Sequence, residues 1–293
     1  MRRANVFYLF GSVISDALIM TNTYVEVTNS TITYVGKEKQ NSTYPVIDVN
    51  EAYICPGFID NHVHGLSGYD FMDDEFAITA IANGLPEFGV TSFVATTRTA
   101  PLEQIEEALR NANNYLLSKI GKAELLGVHL EGPWISQKYC GAQKKELIRN
   151  LTWMDLEIID RYIDIISLIT LAPEEIDDLS LITYWGQQGI HLSAGHTAAD
   201  VEEMEAAKEA GVKQVTHMFN AMSSFHHRTP GTAAAALLFD EIQCELIADG
   251  HHVTPKMIEL LYKVKGFKKI NLISDCTGYN HLENGLYHFR KKN

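Results

Sequence analysis

The stretch TSFVATTRTAPLEQIEEALRNANNYLLSKIGKAELLGVHLEGP, residues 91–133, contains the unit that decides the fold. An apolar run at 91–96 is followed by a segment of helical period at 102–118 and by a second apolar run at 125–130. This order predicts a strand, a helix and a second strand parallel to the first. Parallel strands joined by helices form either an open sheet or a closed barrel.

The same alternation continues on both sides of this stretch. Strands are predicted at 52–59, 91–96, 125–130, 166–171, 190–194, 212–216, 243–248 and 270–274, with helical segments after them. A strand and helix repeated eight times, about every thirty residues, favours a (β/α)8 barrel over an open sheet. Thr152 and Asp155 predict a capping box at the start of one helix.

The first fifty residues have a different pattern. Short runs rich in Val, Ile, Tyr and Thr at 5–14, 24–28 and 31–36 are separated by Asn, Ser and Gly, which predicts a small antiparallel layer. We therefore divide the chain into a small β-sandwich-like domain at 1–52 and an α/β barrel of the TIM type at 53–293.

Composition excludes several classes of partner. With 24 Lys and Arg against 37 Asp and Glu, the net charge is −13, which disfavours general attraction to nucleic acid or to anionic membranes. An anionic ligand must therefore be met by a local cationic cluster. The 4 cysteines are far apart and form no CxxC pair, which favours reduced thiols and a cytoplasmic location.

Ligand-type side chains follow five of the predicted strands. They are His62 and His64, then Glu131, His196, His217 and Asp275. The carboxyl ends of barrel strands meet at one mouth, and imidazole nitrogens and carboxylate oxygens bind zinc, iron or manganese. A single histidine at a strand end is more often structural, but their occurrence on five strand ends predicts a divalent metal site.

Several motifs lie at or near these strand ends: PGFIDNHVHG (56–65), HLEGP (129–133), SAGHT (193–197), THMFNAM (216–222), RTPG (228–231), ADGHHV (248–253) and ISD (273–275). Together they resemble the N-acetylglucosamine-6-phosphate deacetylase family of the amidohydrolase superfamily. The resemblance runs from about residue 8 to about residue 280.

The resemblance implies roles for the metal ligands. Glu131, His196 and His217 are expected to hold one divalent ion, zinc or iron, while His62 and His64 would add a second ion; one ion or two stays open. Related enzymes often bridge two metals with a carbamylated lysine after strand 4, but this strand ends in TLAP (170–173), without lysine. Asp275 resembles the general base of the family, and a capping role is its alternative.

The resemblance also implies substrate contacts. Asn220, Ala221 and Arg228 correspond to residues that bind the sugar phosphate, with Arg228 supplied across a homodimer interface, and His252 is expected on the substrate. Ala142 and Gln143 lie in CGAQ, where some relatives have a histidine donor, so the role of Gln143 stays open. The alternative for Arg228 is a residue of a solvated basic loop, and for His251, the variable position of the ADGHHV motif, we expect no functional role.

The implied reaction is hydrolysis of N-acetylglucosamine 6-phosphate to glucosamine 6-phosphate and acetate. The alternatives are N-acetylgalactosamine 6-phosphate or another amide as substrate, or an inactive chain that only binds sugar phosphate. The last alternative arises because residues 276–293 alone follow Asp275. The family continues with a closing helix and returning strands, so we expect a barrel that is incomplete at the C-terminus and less stable.

Overall fold

The computed structural model of the chain describes residues 5–15, 18–118, 120–279, 282–283 and 285. The chain divides into two compact units, residues 1–58 and residues 59–293. None of the described helices combines the length and apolar composition that a membrane span requires.

The first unit contains one four-stranded sheet. Its strands are β1 (Val6–Ser15), β2 (Leu18–Thr28), β3 (Thr31–Gly36) and β4 (Val46–Ile54), in the spatial order β3-β2-β1-β4. β1 pairs antiparallel with β2, and β2 with β3, as the sequence predicts. β4, which the sequence does not assign to this layer, pairs parallel with β1. It follows the long connection 37–45 rather than a tight turn, and parallel pairing requires such a crossover.

The second unit is built on eight parallel strands. They are β5 (Phe58–Val63), β8 (Val90–Thr96), β9 (Glu124–Glu131), β10 (Ile166–Leu171), β11 (His191–Ala194), β12 (Gln214–Val215), β13 (Gln243–Ile247) and β14 (Ile270–Ile273). These eight strands neighbour one another in chain order from β5 to β14. The short hairpin β6 (Gly65–Leu66) and β7 (Tyr69–Asp70), which follows β5, forms a separate sheet. Just beyond β14, Cys276 forms a parallel bridge with Val63, and its carbonyl accepts a 2.8 Å hydrogen bond from the His64 N–H. The first and last strands therefore meet, as in the predicted (β/α)8 barrel.

Helices alternate with these strands. They are α1 (Glu75–Gly84), α2 (Leu102–Ser118), α3 (Trp153–Arg161), α4 (Ser180–Gln187), α5 (Val201–Ala210), α6 (Thr232–Leu238) and α7 (Pro255–Lys265). Their apolar faces bury Ile78, Leu109, Ile182 and Trp185 completely. The predicted capping box is present: the Thr152 side chain faces the Asp155 backbone, and the Asp155 carboxylate accepts a 2.8 Å hydrogen bond from the Thr152 N–H. The core therefore lies between the helices and the outer face of the strands.

The first barrel strand differs from its predicted position at 52–59. The apolar run that contains Tyr53 ends β4, and β5 begins only at Phe58. Pro56 and Gly57 separate the two strands, because proline offers no N–H to a ladder and glycine weakens extended structure. The two strands belong to different sheets.

The barrel interior is polar beneath its carboxyl end. His129 contacts the Thr170 hydroxyl at 2.7 Å, Thr170 contacts Thr216 at 2.7 Å, and Thr216 contacts Ser193 at 2.6 Å. All four side chains are buried, and burial holds the pKa of His129 well below its ordinary value. This chain of hydrogen bonds joins β9, β10 and β11 to Thr216, the residue that follows β12.

Candidate metal centre

Six ionisable side chains from five strand ends converge at the carboxyl end of the barrel. They are His62 and His64 from the end of β5, Glu131 from β9, His196 after β11, His217 after β12 and Asp275 after β14. The four imidazoles and Glu131 are each at most 5% exposed. The cluster is therefore largely withdrawn from water.

The backbone is strained where it delivers three of these groups. His196, His217 and Asp275 have φ angles of 47°, 33° and 50°, in the left-handed region that residues with a Cβ rarely occupy. Such strain is concentrated at functional sites. A Cβ at Gly195 would lie 2.7 Å from both Thr170 and Thr216 side-chain atoms, so the strand can approach its neighbours there only as glycine.

One group of three ligand atoms is formed by Glu131, His196 and His217. Oε1 of Glu131 lies 3.2 Å from Nε2 of His196 and 3.3 Å from Nε2 of His217, and the two nitrogens are 3.1 Å apart. A tetrahedral ion with bonds of about 2.0–2.1 Å to nitrogen and oxygen separates its ligands by about 3.3 Å. The three atoms therefore have the spacing of ligands around one small divalent ion.

The second group shares the same carboxylate. Nε2 of His64 lies 3.4 Å from Oε2 of Glu131 and 3.3 Å from Nε2 of His62. Nε2 of His62 lies 3.4 Å from Oε1 of Glu131. Asp275 joins this group, since its Oδ1 lies 3.2 Å from His64 Nε2 and 3.4 Å from His62 Nε2. Glu131 thus faces both groups, one on each side of its carboxylate.

Each of the four imidazoles directs Nε2 into the cluster because its Nδ1 contacts an oxygen that only accepts. These oxygens are Glu245 Oε2 for His62 at 3.1 Å, the Thr96 carbonyl for His64 at 3.2 Å, the Tyr139 carbonyl for His196 at 2.9 Å and the Asn220 carbonyl for His217 at 3.2 Å. In the neutral ring, Nδ1 therefore carries the proton, and the lone pair of Nε2 is left for an ion. This is the arrangement that surrounds metal-binding histidines.

The negative charges of the Glu131 and Asp275 carboxylates also favour a bound cation in the cluster. In the described part of the chain, neither lysine nor arginine forms an ion pair with Glu131 or Asp275, which face imidazoles instead. Burial would raise the pKa of Glu131, but His62 and His196 hold it well below its ordinary value. Burial would lower the pKa of His64, but hydrogen bonds to Asp275 and Glu131 raise it to about 9. Without an ion, protons on the imidazoles balance the carboxylates.

The residues present fit a divalent metal ion. His62, His64 and Glu131 form one set of potential ligands and Glu131, His196 and His217 form another, with all atoms of each set within 4.8 Å of one another. Nitrogen and oxygen donors of this kind suit zinc and iron. Three observations support this assignment: the spacing of the ligand atoms, the tautomers of the histidines, and the carboxylates that have no lysine or arginine partner among the described ion pairs.

Gln143 lies beside the cluster with both ends of its amide engaged. Its Oε1 accepts a 2.9 Å hydrogen bond from the Thr99 N–H, and its Nε2 donates to Oε2 of Glu131. The amide therefore orients the shared carboxylate and keeps one further N–H. The neighbouring Ala142 is exposed.

The remaining substrate-binding candidates are distributed differently. Asn220 adjoins the cluster, because its carbonyl contacts His217, and Ala221 has a φ of 46° beside it. Arg228 is exposed and donates to the His227 ring at 3.2 Å. His252 is 55% exposed and contacts Asp249 at 2.7 Å. Among the described contacts, neither Arg228 nor His252 reaches the metal cluster.

One buried acidic residue was missed by sequence reasoning. Glu245 lies in β13 with its side chain 0% exposed, and it contacts His62 and the backbone of His217. The signal was a lone acidic residue inside the apolar strand QCELI (243–247), which a purely structural strand would not carry.

The fold and the cluster match known proteins. Residues 53–284 match the amidohydrolase family. An N-acetylglucosamine-6-phosphate deacetylase from Bacillus subtilis is 38% identical over 288 residues, which cover 95% of this chain and 72% of that protein. An N-acetylgalactosamine-6-phosphate deacetylase from Escherichia coli is 36% identical over 236 residues, 80% of this chain and 62% of that protein. The chain therefore spans about two thirds of the length of these relatives.

A solved structure agrees with these sequences. A mutant N-acetyl-D-glucosamine-6-phosphate deacetylase from Mycobacterium smegmatis, in complex with N-acetyl-D-glucosamine-6-phosphate, superposes with a TM-score of 0.88 at 27% identity and covers 97% of this chain and 74% of its own. The chain therefore belongs to the amidohydrolase family and, within it, to the N-acetylglucosamine-6-phosphate deacetylases.

Proposed function

We propose that this chain hydrolyses the acetamide of N-acetylglucosamine 6-phosphate to glucosamine 6-phosphate and acetate. The observation that supports this most strongly is the spacing of 3.1–3.3 Å among the ligand atoms of Glu131, His196 and His217, with the Asp275 carboxylate in the same cluster. The 38% identical Bacillus subtilis relative carries the name of this activity.

Glu131, His196 and His217 would hold a divalent ion, zinc or iron, and His62 and His64 would hold a second one with the other oxygen of Glu131. A bound ion supplies Lewis acidity, which lowers the pKa of water and polarises an acyl carbonyl. Two divalent ions would also compensate the buried carboxylates of Glu131, Asp275 and Glu245, which lack lysine or arginine partners among the described ion pairs.

Asp275 is proposed as the group that moves the proton. In the metal-free chain, burial would raise its pKa, but His62 and His64 lower it, so the carboxylate is ionised at neutral pH. It takes the proton from water as the water attacks the acetyl carbon, and it returns the proton to the amine nitrogen when the C–N bond breaks. The side chain is 23% exposed, which leaves it open to the substrate.

Gln143 is proposed to contact the acetyl oxygen. Because Thr99 and Glu131 fix the orientation of its amide, the remaining N–H has a defined direction. A preoriented donor stabilises the negative charge that develops on the carbonyl oxygen. The exposed Ala142 beside it would border the same part of the substrate.

The phosphate is proposed to bind at Asn220, Ala221 and Arg228, with His252 on the sugar. A guanidinium suits bidentate phosphate recognition, which a protein of net charge −13 requires locally. Arg228 is exposed and makes no described contact with the cluster of its own subunit. We therefore assign it to the site of a second copy in a homodimer.

The location and the exact substrate are also proposals. Cys55, Cys140 and Cys244 are free thiols, which supports a reducing, cytoplasmic compartment. The Escherichia coli relative acts, by its name, on the galacto epimer, so that sugar is the second candidate substrate.

The test is acetate release by the zinc-loaded and iron-loaded chain from both acetylated sugar phosphates and from unphosphorylated N-acetylglucosamine. We expect the gluco phosphate to give the highest kcat/KM. A higher kcat/KM for the galacto phosphate would make N-acetylgalactosamine 6-phosphate the substrate. Metal binding without acetate release from any of the three compounds would support the inactive, sugar-phosphate-binding alternative.

A further inference from the structure

Glu245 is a carboxylate buried beneath the metal centre, and the proposed reaction gives it no role. Its side chain is 0% exposed, and among the described ion pairs its only partner is His62. Burying an ionised carboxylate is costly unless hydrogen bonds compensate it. The four polar groups that contact the Glu245 carboxylate all donate hydrogen bonds to it.

The two oxygens of Glu245 divide these donors into pairs. Oε1 accepts from the Asn61 side chain at 3.1 Å and from Gln214 Nε2 at 2.8 Å. The orientation of Gln214 is independently fixed, since its own oxygen accepts a 3.0 Å hydrogen bond from Asn271. Oε2 accepts from Nδ1 of His62 at 3.1 Å and from the backbone N–H of His217 at 3.3 Å.

Oε2 therefore touches one member of each group of metal ligands. His62 belongs to the group with His64, and His217 belongs to the group with His196. The contact to His62 places the proton on Nδ1 and leaves Nε2 as the ligand atom. The contact to His217 holds the backbone at a residue whose φ of 33° is strained.

We infer that Glu245 is a positioning residue that sets the tautomer of His62 and the backbone of His217, and so preorganises both groups of ligands from below. An acceptor-only side chain is required there. A glutamine has one oxygen and one NH2 group, so in either orientation it brings a donor against a pair of donors. Glu245→Gln is therefore a nearly isosteric change that removes the ability of this side chain to accept hydrogen bonds on both ends.

The inference rests on the proposed metal-dependent deacetylase, but its test uses no turnover. Cobalt is titrated into the metal-free wild type, E245Q, H62A and the control Q214M, with affinity read from the visible absorption of the bound ion. Each bound ion gives one phase of the cobalt titration, and the phase that is weakened in H62A is the one to which His62 contributes. We expect E245Q to weaken that phase by about 10–100-fold, the usual cost of losing a partner of a metal-bound histidine.

Q214M serves as the matched control because it also removes a hydrogen bond from Glu245, but from Oε1 rather than from Oε2, the oxygen that contacts His62. Its cobalt affinity is expected to stay within about threefold of wild type. Equal affinity in E245Q and wild type, or equal losses in E245Q and Q214M, would overturn the inference, since the latter would reflect a general disturbance of the barrel.

A second measurement keeps the inference testable if E245Q does not fold. In the zinc-loaded wild type, the ¹⁵N shifts and couplings of the histidine rings report which nitrogen carries the proton. We expect His62 to be protonated on Nδ1, with that proton shifted downfield by the hydrogen bond to Glu245. A proton on Nε2 would refute the inference whether or not the chain releases acetate.

Discussion

Oδ1 of Asp275 lies 3.2 Å from Nε2 of His64 although 211 positions of the chain separate the two residues. The contact exists because β5 and the end of β14 meet where the barrel closes, with the Asp275 N–H donating to the His62 carbonyl at 3.0 Å. Barrel closure thus places the proposed proton acceptor beside the proposed metal ligands.

Replacing this carboxylate should stop turnover but leave metal binding largely intact. Asp275→Asn keeps the shape of the side chain but cannot accept a proton, so acetate release should fall by about 10²–10⁴-fold. Metal content after gel filtration should stay close to wild type. Asp177→Asn, an exposed substitution of the same chemistry, is the control and should be fully active. Activity near wild type in the Asp275 variant would exclude Asp275 as the base.

Metal binding should release protons. In the metal-free chain His64 has its pKa raised to about 9, so it is protonated at pH 7.5, whereas an ion requires the unprotonated nitrogen. Calorimetric zinc titrations in two buffers with different heats of ionisation should therefore reveal about one or more protons released per ion, and fewer in His64→Asn. Identical heats in the two buffers would contradict this.

The same group makes the stability of the metal-free chain depend on pH. Because the folded pKa of His64 is raised, its contribution to stability is complete below about pH 6.5 and is lost as the pH rises towards 9. Urea unfolding of the metal-free chain should show that decline, and the zinc-loaded chain should not, since the ion replaces the proton. A metal-free chain that gains stability over this interval would show the opposite linkage.

The capping box of α3 should contribute strongly to stability. Asp155 is fully buried, and its carboxylate accepts hydrogen bonds from Nη1 and Nη2 of Arg149 at 2.6 Å and 2.5 Å. Asp155→Asn should cost about 2–3 kcal/mol of unfolding free energy, because it leaves a partly buried guanidinium without its partner. The matched change Glu106→Gln, whose partner Arg161 is 56% exposed, should cost less than about 1 kcal/mol.

The effect of Asp155 also has a defined pH range. Burial would raise its pKa, but hydrogen bonds from Arg149 and Thr152 lower it overall, so its contribution is present above about pH 3.8 and is lost as the pH falls through the folded value. Urea unfolding at several pH values measures both effects. Equal losses for the Asp155 and Glu106 variants would argue against this account.

The proposed dimer predicts complementation between two impaired variants. If Arg228 serves the partner's site, Arg228→Ala should raise KM for the phosphorylated sugar in a homodimer. Mixing this variant with Asp275→Asn should create one site per dimer with both residues intact and restore up to about half of the wild-type activity in the dimers that form. No recovery after subunit exchange, with dimers present by light scattering, would place Arg228 elsewhere.

Much of the architecture could be predicted from local patterns. Seven of the barrel strands occur where apolar runs predicted them, because buried parallel strands are continuously apolar, and Glu131, His196 and His217 follow from the rule that strand ends share one mouth. The boundary between β4 and β5 was misplaced because both flanks of Pro56 are apolar, and periodicity cannot tell which sheet an apolar run joins.

What sequence reasoning missed depends on side-chain contacts across the barrel. Glu245 is separated from His62 by 183 positions, and only the closed sheet reveals that they touch. The engaged amide of Gln143 likewise depends on Thr99, in a different loop. The exposed positions of Arg228 and His252 reflect loop conformations that no short pattern encodes.

The central claim is that Glu131, His196 and His217 bind one cation next to Asp275. The most direct test is anomalous diffraction at the zinc edge from crystals of the zinc-loaded chain. We predict a peak about 2.0–2.2 Å from Oε1 of Glu131 and from Nε2 of both histidines. A fully loaded crystal whose anomalous peaks all lie away from these three atoms would contradict the account.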